Sequence, residues 1–244
     1  MNGSVHVVLG ASGAIGSALA RQLAGRGARL VLGGRDTAAL DALAAETGGL
    51  PCPGDASAPE AAERAVAIAR ERYGRLDGAA NCVGSVLLKP AHLTKDDEFA
   101  AALATNLWSA FHLVRAAVRA MDGDGGSIVL VSTAAARTGL PNHEAIAAAK
   151  AGVIGLARSA AATYAGRGLR VNVVAPGLVR TPLSARITGN PAALAASVAM
   201  HPLGRIGEPD EVAAALEWLL DPAQGWITGQ VLGVDGGLAD LRAR

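Results

Sequence analysis

Lys150 is where a chemical reading of this chain starts. It stands in NHEAIAAAKAG (142–152), a stretch with helical spacing. Positions three and four apart share a helix face, so His143, Ile146 and Lys150 point the same way. A lysine desolvated beside an apolar neighbour gives up its proton more readily and can donate it directly. The imidazole of His143 is the other candidate donor on that face. A helix N-terminus and Lys150 both disfavour its cation, so its useful form is a neutral ring whose N–H polarises a carbonyl. Glu144 points elsewhere and supplies a favourable charge in the first turn, after Asn142 as N-cap. His92, His112 and His201 fall in a loop, on a helix face and in an irregular segment. Of these, His201 is the one that could approach a substrate.

A second group of residues suits a phosphate. LGASGAIGSALA (9–20) places Gly10, Gly13 and Gly16 between an apolar run and a helical stretch. Glycine there lets backbone approach a pyrophosphate, and the helix N-terminus offers N–H groups and the positive end of its dipole. The next apolar run ends VLGGRD (31–36). An acidic residue at its tip would bond a ribose 2′-hydroxyl, but the tip is Gly34, followed by Arg35. Arginine forks onto a 2′-phosphate, which favours NADP(H) as cofactor. Asp36, one place later, keeps NAD(H) possible.

The elements that must position these groups alternate. Apolar runs at 5–10, 29–34, 76–84, 126–133, 168–177 and 230–237 read as strands. Stretches at 14–27, 37–49, 59–74, 98–121, 142–165 and 209–220 read as helices. Strand–helix alternation with short loops predicts an α/β fold, a doubly wound parallel sheet with helices on both faces. No linker or repeat divides the chain, so 1–244 reads as one domain. Residues 183–208 break the rhythm, and a segment that long between a strand and a helix predicts a substrate lid.

Composition narrows the function classes. The chain has 244 residues, 51% of them hydrophobic, enough for a large core. Net charge is +1, from 22 basic and 21 acidic residues, and aromatics are 3%. Nucleic-acid binding, which needs basic stripes or stacking surfaces, is not expected. Cys52 and Cys82 have no His or Cys at ligand spacing, so they read as buried, reduced thiols of a cytoplasmic protein with no metal. No signal peptide is read at the N-terminus, and no apolar run approaches the roughly 18 residues of a membrane span.

In order and spacing, these features resemble the short-chain dehydrogenase/reductase family, in the single-domain branch that includes 3-oxoacyl-carrier-protein reductases. The resemblance runs from about residue 4 to 237. The family's glycine-rich turn is similar to Gly10–Gly16, with Ser12 and Ile15 inside it. The usual middle glycine falls on Ala14, with Gly13 one place early. The family's aspartate beside the adenine matches Asp55 in GDAS, and its Asn-Asn-Ala-Gly resembles NCVG, Asn81 to Gly84. Its helix asparagine matches Asn106 in ATNLWSAFHL. Its Pro-Gly loop resembles APGLVRTPL, where Pro176 and Gly177 would flank the nicotinamide, Val179 line the cofactor site and Thr181 bond the carboxamide.

The resemblance implies a seven-stranded Rossmann sheet, a homotetramer or dimer, and hydride transfer between a nicotinamide and a carbonyl or alcohol. It also implies a catalytic set of Asn, Ser, Tyr and Lys. The tyrosine is the acid or base, the lysine lowers its pKa and holds the ribose, the serine orients the oxygen and the asparagine holds a relay water. Carried over, Asn106 and Lys150 match, the serine becomes Thr133 with Ser132 beside it, and the tyrosine becomes Ile146. The only tyrosines, Tyr73 and Tyr164, fall elsewhere. General acid–base help is worth about 10²–10⁴-fold, so the change matters.

Three readings stay open. One is an oxidoreductase with an atypical set of Asn106, Thr133, Lys150 and His143. Another is a nucleotide-binding protein without redox turnover. The third is a lyase, cyclase or isomerase on the same scaffold. SVLLKPAHL and residues 183–203 predict a largely apolar pocket for a small substrate, and Trp108 and Phe111 predict a subunit interface.

Overall fold

Val5–Leu9 (β1) is buried along its whole length, as a strand covered on both faces must be. The computed structural model describes residues 1–121 and 125–242. β2 (Arg29–Gly34), β3 (Leu50–Pro53), β4 (Gly78–Asn81), β5 (Gly126–Val131), β6 (Leu169–Pro176) and β7 (Val231–Val234) join β1 in one parallel sheet, ordered β3-β2-β1-β4-β5-β6-β7. α1 (Ala14–Gly25), α2 (Thr37–Thr47) and α9 (Pro209–Leu220) cover one face through Leu19, Leu40 and Leu216. α3 (Pro59–Tyr73), α5 (Ser109–Ala120) and α6 (Glu144–Tyr164) cover the other through Ala62, Leu113 and Val153. The chain runs outward from β1 to β3, then returns to β4 on the far side of β1. That reversal opens a crevice beyond the strands' C-terminal ends, where doubly wound folds bind ligands.

β3 has the sequence LPCP, and only the resemblance anticipated it as a strand. Proline removes a ladder N–H, so it is tolerated at a sheet edge, and β3 is the edge, paired to β2 alone. The helix expected over 98–121 is α4 (Asp96–Leu103), a π-turn at Ala104–Trp108, and α5. The widened turn carries Asn106 at 0% exposure, and such bulges concentrate at functional sites.

Two expectations about α6 are corrected. Its N-cap is His143, without a side-chain cap bond, while Asn142 adopts φ 62° outside the helix. The Asn142 carbonyl accepts the Lys89 N–H at 2.8 Å, which ties it to the β4 loop instead. Glu144–Arg167 is also long and apolar enough, by composition, to cross a membrane. Alanine supplies that hydropathy, and the buried face of α6, including Ile146, Val153 and the charged Lys150, packs on the sheet. Residues 183–208 are more ordered than an irregular segment, with α7 (Ala185–Thr188) and α8 (Pro191–Met200) inside them.

Candidate functional site

Three adjoining cavities line the crevice. The first, about 140 Å³, lies over the ends of β1 and β2 and is lined by Gly10, Ser12, Gly13, Gly34, Arg35 and Asp55. Its shape depends on absent side chains. Gly10 has φ +78°, and a Cβ there would lie 2.7 Å from the Cys82 carbonyl carbon and 2.8 Å from the Val83 nitrogen. A Cβ on Gly16 would overlap the Gly10 carbonyl oxygen. Gly16 therefore lets the turn close but does not line the cavity. Gly13 is the N-cap of α1 and makes no side-chain cap bond, so the helix's first N–H groups lack a side-chain partner at the cavity. Uncapped N–H groups, a turn kept narrow by Gly10, Gly13 and Gly16, and a nearby guanidinium together fit a dinucleotide phosphate.

At the outer end, Ser57 donates its N–H (2.9 Å) and hydroxyl (2.8 Å) to Asp55 Oδ1. These bonds, with a smaller contribution from Arg35, hold the Asp55 carboxyl below its ordinary range. Asp36 is diverted. Its carboxylate accepts the Ala39 N–H at 3.0 Å as the N-cap of α2, and it does not line the cavity.

The second cavity, about 170 Å³, shares Cys82, Val83 and Gly84 with the first and turns toward Lys150. Lys150 is 6% exposed, and its ammonium donates to the carbonyls of Val131 (2.8 Å) and Val83 (3.4 Å). Burial pushes its pKa down to about 8. Burial pushes the Cys82 thiol up to about 12, so it stays neutral, although the residue as a whole is partly exposed where Cys52 is buried. A Cβ on Gly84 would sit 3.3 Å from Asn106 Oδ1 and 3.6 Å from Lys150 Nζ. Glycine at 84 thus brings the two matched residues together. Asn106 donates to Ser85 Oγ (2.9 Å) and the Ala102 carbonyl (2.9 Å) and accepts the Ser85 N–H (3.1 Å). Ile15, Pro176, Gly177, Val179 and Thr181 line the same cavity. Thr181 also caps the turn that begins the 183–208 segment.

Ile146, 5% exposed, lines both the second cavity and a third of about 400 Å³. Thr133 lines both as well, while the Ser132 hydroxyl is spent on the Lys150 carbonyl at 2.9 Å. His143 lines the third cavity with Val86, Leu88, Leu140, Ile187 and Met200. Its Nδ1 lies 2.7 Å from the Pro141 carbonyl, which can only accept, so Nδ1 carries the proton. The neutral N–H expected to polarise a carbonyl is thereby occupied. Nε2 is left for a ligand, as a base when the ring is neutral and as a donor only when it is cationic.

Asn81 does not line the cleft. It donates to Ser109 Oγ (3.0 Å), accepts the Val83 N–H (3.1 Å) and so shapes the loop that does. Sequence reading missed Ser85, which directly follows the NCVG motif, and the Val83 and Val131 carbonyls on Lys150. No residue type signals a carbonyl's aim, because strand register sets it.

Residues 10–239 match the family model described as enoyl-(acyl carrier protein) reductase. A 3-oxoacyl-[acyl-carrier-protein] reductase of Thermotoga maritima is 35% identical, covering 98% of each chain. A D-threitol dehydrogenase of Mycolicibacterium smegmatis is 35% identical over 97% of this chain and 93% of its own. A 2,5-dichloro-2,5-cyclohexadiene-1,4-diol dehydrogenase of Sphingobium indicum is 35% identical over 99% of each. A solved short-chain type dehydrogenase/reductase from Mycobacterium ulcerans superposes with a TM-score of 0.95 at 29% identity, covering 100% of this chain and 92% of that one.

Proposed function

This chain belongs to the short-chain dehydrogenase/reductase family of carbonyl- and alcohol-converting oxidoreductases, and we propose that it uses NADP(H) on a small, apolar substrate through a catalytic set without the family's tyrosine. The observation that carries this reading is the continuity of the crevice. A phosphate-shaped cavity leads past buried Lys150 into an apolar one. Family enzymes bind NAD(P)(H). Arg35 at the tip of β2 and the diversion of Asp36 into helix capping support the phosphorylated form.

When bound, the nicotinamide supplies or accepts the hydride. The chain's residues manage the oxygen and its proton. Thr133 bridges the second and third cavities, and its hydroxyl orients the substrate oxygen. His143 Nε2 takes the proton in alcohol oxidation, or gives it as imidazolium in reduction. Lys150, with a pKa near 8, holds the ribose side and stabilises negative charge on the oxygen. Asn106, bonded to Ser85 in the π-turn, holds the relay position.

The third cavity is lined by no Asp, Glu, Lys or Arg, and apolar side chains dominate it, which supports an apolar carbonyl over a sugar. We read 1–244 as one domain with 183–208 as its lid. The continuous sheet supports this, as do α7 and α8, which contribute Ile187 and Met200 to the third cavity. A homo-oligomer is supported by Trp108 (52% exposed) and Phe111 (38% exposed), stacked edge to face at 5.7 Å on the outer surface. The free thiols suit a reducing, cytoplasmic setting. Ile146 favours one second reading, a lyase, cyclase or isomerase that uses the same cleft.

NADPH oxidation against a panel of ketones, diketones and 3-oxoacyl thioesters tests the proposal, with wild type beside Ile146→Tyr and His143→Ala. Wild-type turnover that collapses in His143→Ala is the expected result. Turnover in Ile146→Tyr alone would overturn the atypical set and promote the second reading.

A further inference from the structure

His201 has no part in the chemistry proposed above, yet it is 3% exposed and both ring nitrogens are bonded. Nδ1 lies 2.6 Å from the Ser197 carbonyl, one turn back on α8. Nε2 accepts the Leu178 N–H at 3.2 Å, from the loop after β6. A carbonyl accepts and an amide N–H donates, so both bonds form only in the neutral Nδ1–H tautomer. The ring lies against Gly177, where a Cβ would come 2.7 Å from Nε2. The Pro-Gly sequence of that loop therefore makes room for the imidazole.

α8 itself is weakly held. Of its ten residues only Ser197 is buried. The 183–208 segment is tied at its start by the Ser184 hydroxyl on the Val179 carbonyl (2.6 Å). Its far end meets the same loop through His201. Leu178 lines the second and third cavities, and His201 lines the third.

We propose that His201 is a positioning residue: its imidazole clasps α8 to the Gly177–Leu178 loop and thereby holds the lid closed over the apolar cavity. Its effect on substrate rests on the oxidoreductase reading above, but its effect on the lid does not. Breaking the clasp loosens Ala193, Ala196 and Met200, which wall the substrate side, and leaves the phosphate end untouched.

Two substitutions divide the clasp. His201→Asn keeps an amide N–H near the Nδ1 position and loses reach to Leu178. His201→Gln can present a carbonyl to Leu178 and loses the bond to Ser197. In hydrogen–deuterium exchange, residues 185–200 are expected to exchange about five- to tenfold faster in both variants, the worth of one hydrogen bond, while the β1, β4 and β5 strands are unchanged. NADPH affinity is expected to stay within about twofold, and KM for any ketone turned over to rise more than kcat falls. In the wild type, nitrogen-15 NMR of the histidine rings is expected to give the Nδ1–H tautomer for His201. Unchanged exchange over 185–200 in both variants, equal acceleration in the strands, or an Nε2–H tautomer would overturn the clasp. If no variant and no wild type reduces any ketone, the oxidoreductase reading fails, while the exchange data still decide the clasp.

Discussion

From Gly10 to Arg35 the cleft is made of backbone, whereas from Thr133 to His201 it is made of side chains. At the phosphate end the contacts are N–H groups of an uncapped helix, and the requirement is that nothing project into them. At the substrate end the walls are Val86, Leu88, Ile187 and Met200, drawn from loops and lid helices far apart in sequence. A backbone site tolerates few changes, because a Cβ at Gly10 or Gly16 collides. A side-chain site has room for Ile146, where the family resemblance implies a tyrosine, with Lys150 and Thr133 lining the same cavity. Lys150 is the hinge between the halves, since it donates to one carbonyl from the β4 loop and one from β5.

The comparison can be broken from the substrate side first. His143→Ala is expected to lower ketone reduction by about 10²–10⁴-fold in steady-state assays, the usual worth of a positioned acid, and Ile146→Tyr to raise it by no more than about tenfold. A gain of about 10²–10⁴-fold in Ile146→Tyr would mean that His143 does not fill the role. At the backbone end, Gly16→Ala drives a methyl group into the Gly10 carbonyl. It is expected to cost about 3 kcal/mol in denaturant unfolding and about 10²-fold in NADPH affinity. Folding and binding at wild-type levels would show that this end is not constrained by its backbone.

A smaller effect is expected at Arg35, on which the proposed preference for NADP(H) rests. Arg35→Ser is expected to reduce the preference for NADPH over NADH by about 10- to 100-fold, as losing a forked phosphate contact does. An unchanged ratio from cofactor titrations would assign the 2′-phosphate to another group.

The smallest effect is a pH profile at the hinge. Below pH about 8 Lys150 is charged in the folded and unfolded chain alike, and its burial lowers stability. Between 8 and 10.5 the unfolded chain keeps a proton that the folded chain has released, so stability rises with pH. Cys82 acts in the opposite sense above its ordinary 9, since the folded thiol holds its proton to about 12. Thermal melts of the cofactor-free protein should therefore gain at most about 1.4 kcal/mol from pH 8 to 9, level off, and fall above 10.5. Lys150→Met should abolish the rise and keep the fall. A rise that persists in Lys150→Met would place its origin elsewhere.

Much of the fold was legible because periodicity and burial are local. Six strands and the helices between them follow from apolar runs, and the glycines at 10 and 16 follow from what a phosphate turn needs. β3 is not legible because its two prolines lack a ladder N–H, which only a sheet edge tolerates. Spacing points to Asn142 as the N-cap of α6, but that residue's carbonyl is claimed by Lys89, a partner that sequence spacing does not reveal. The Pro141 carbonyl that occupies the Nδ1 proton of His143 depends on the bend before α6, so the ring's free nitrogen is not legible either.

Residue types and spacing specify the alternation of strands and helices, the phosphate-type turn, Arg35 in place of an acid, and the absence of a tyrosine four residues before Lys150. Residue type and near-neighbour spacing are enough for each of these. Only the tertiary structure decided which carbonyls hold Lys150, that Asp36 serves a helix rather than a ribose, that Asn81 shapes the loop without lining it, and that His201 joins α8 to the loop after β6. Those outcomes depend on strand register and on segments meeting across tens of residues, and a directional bond exists only once packing has fixed both of its ends.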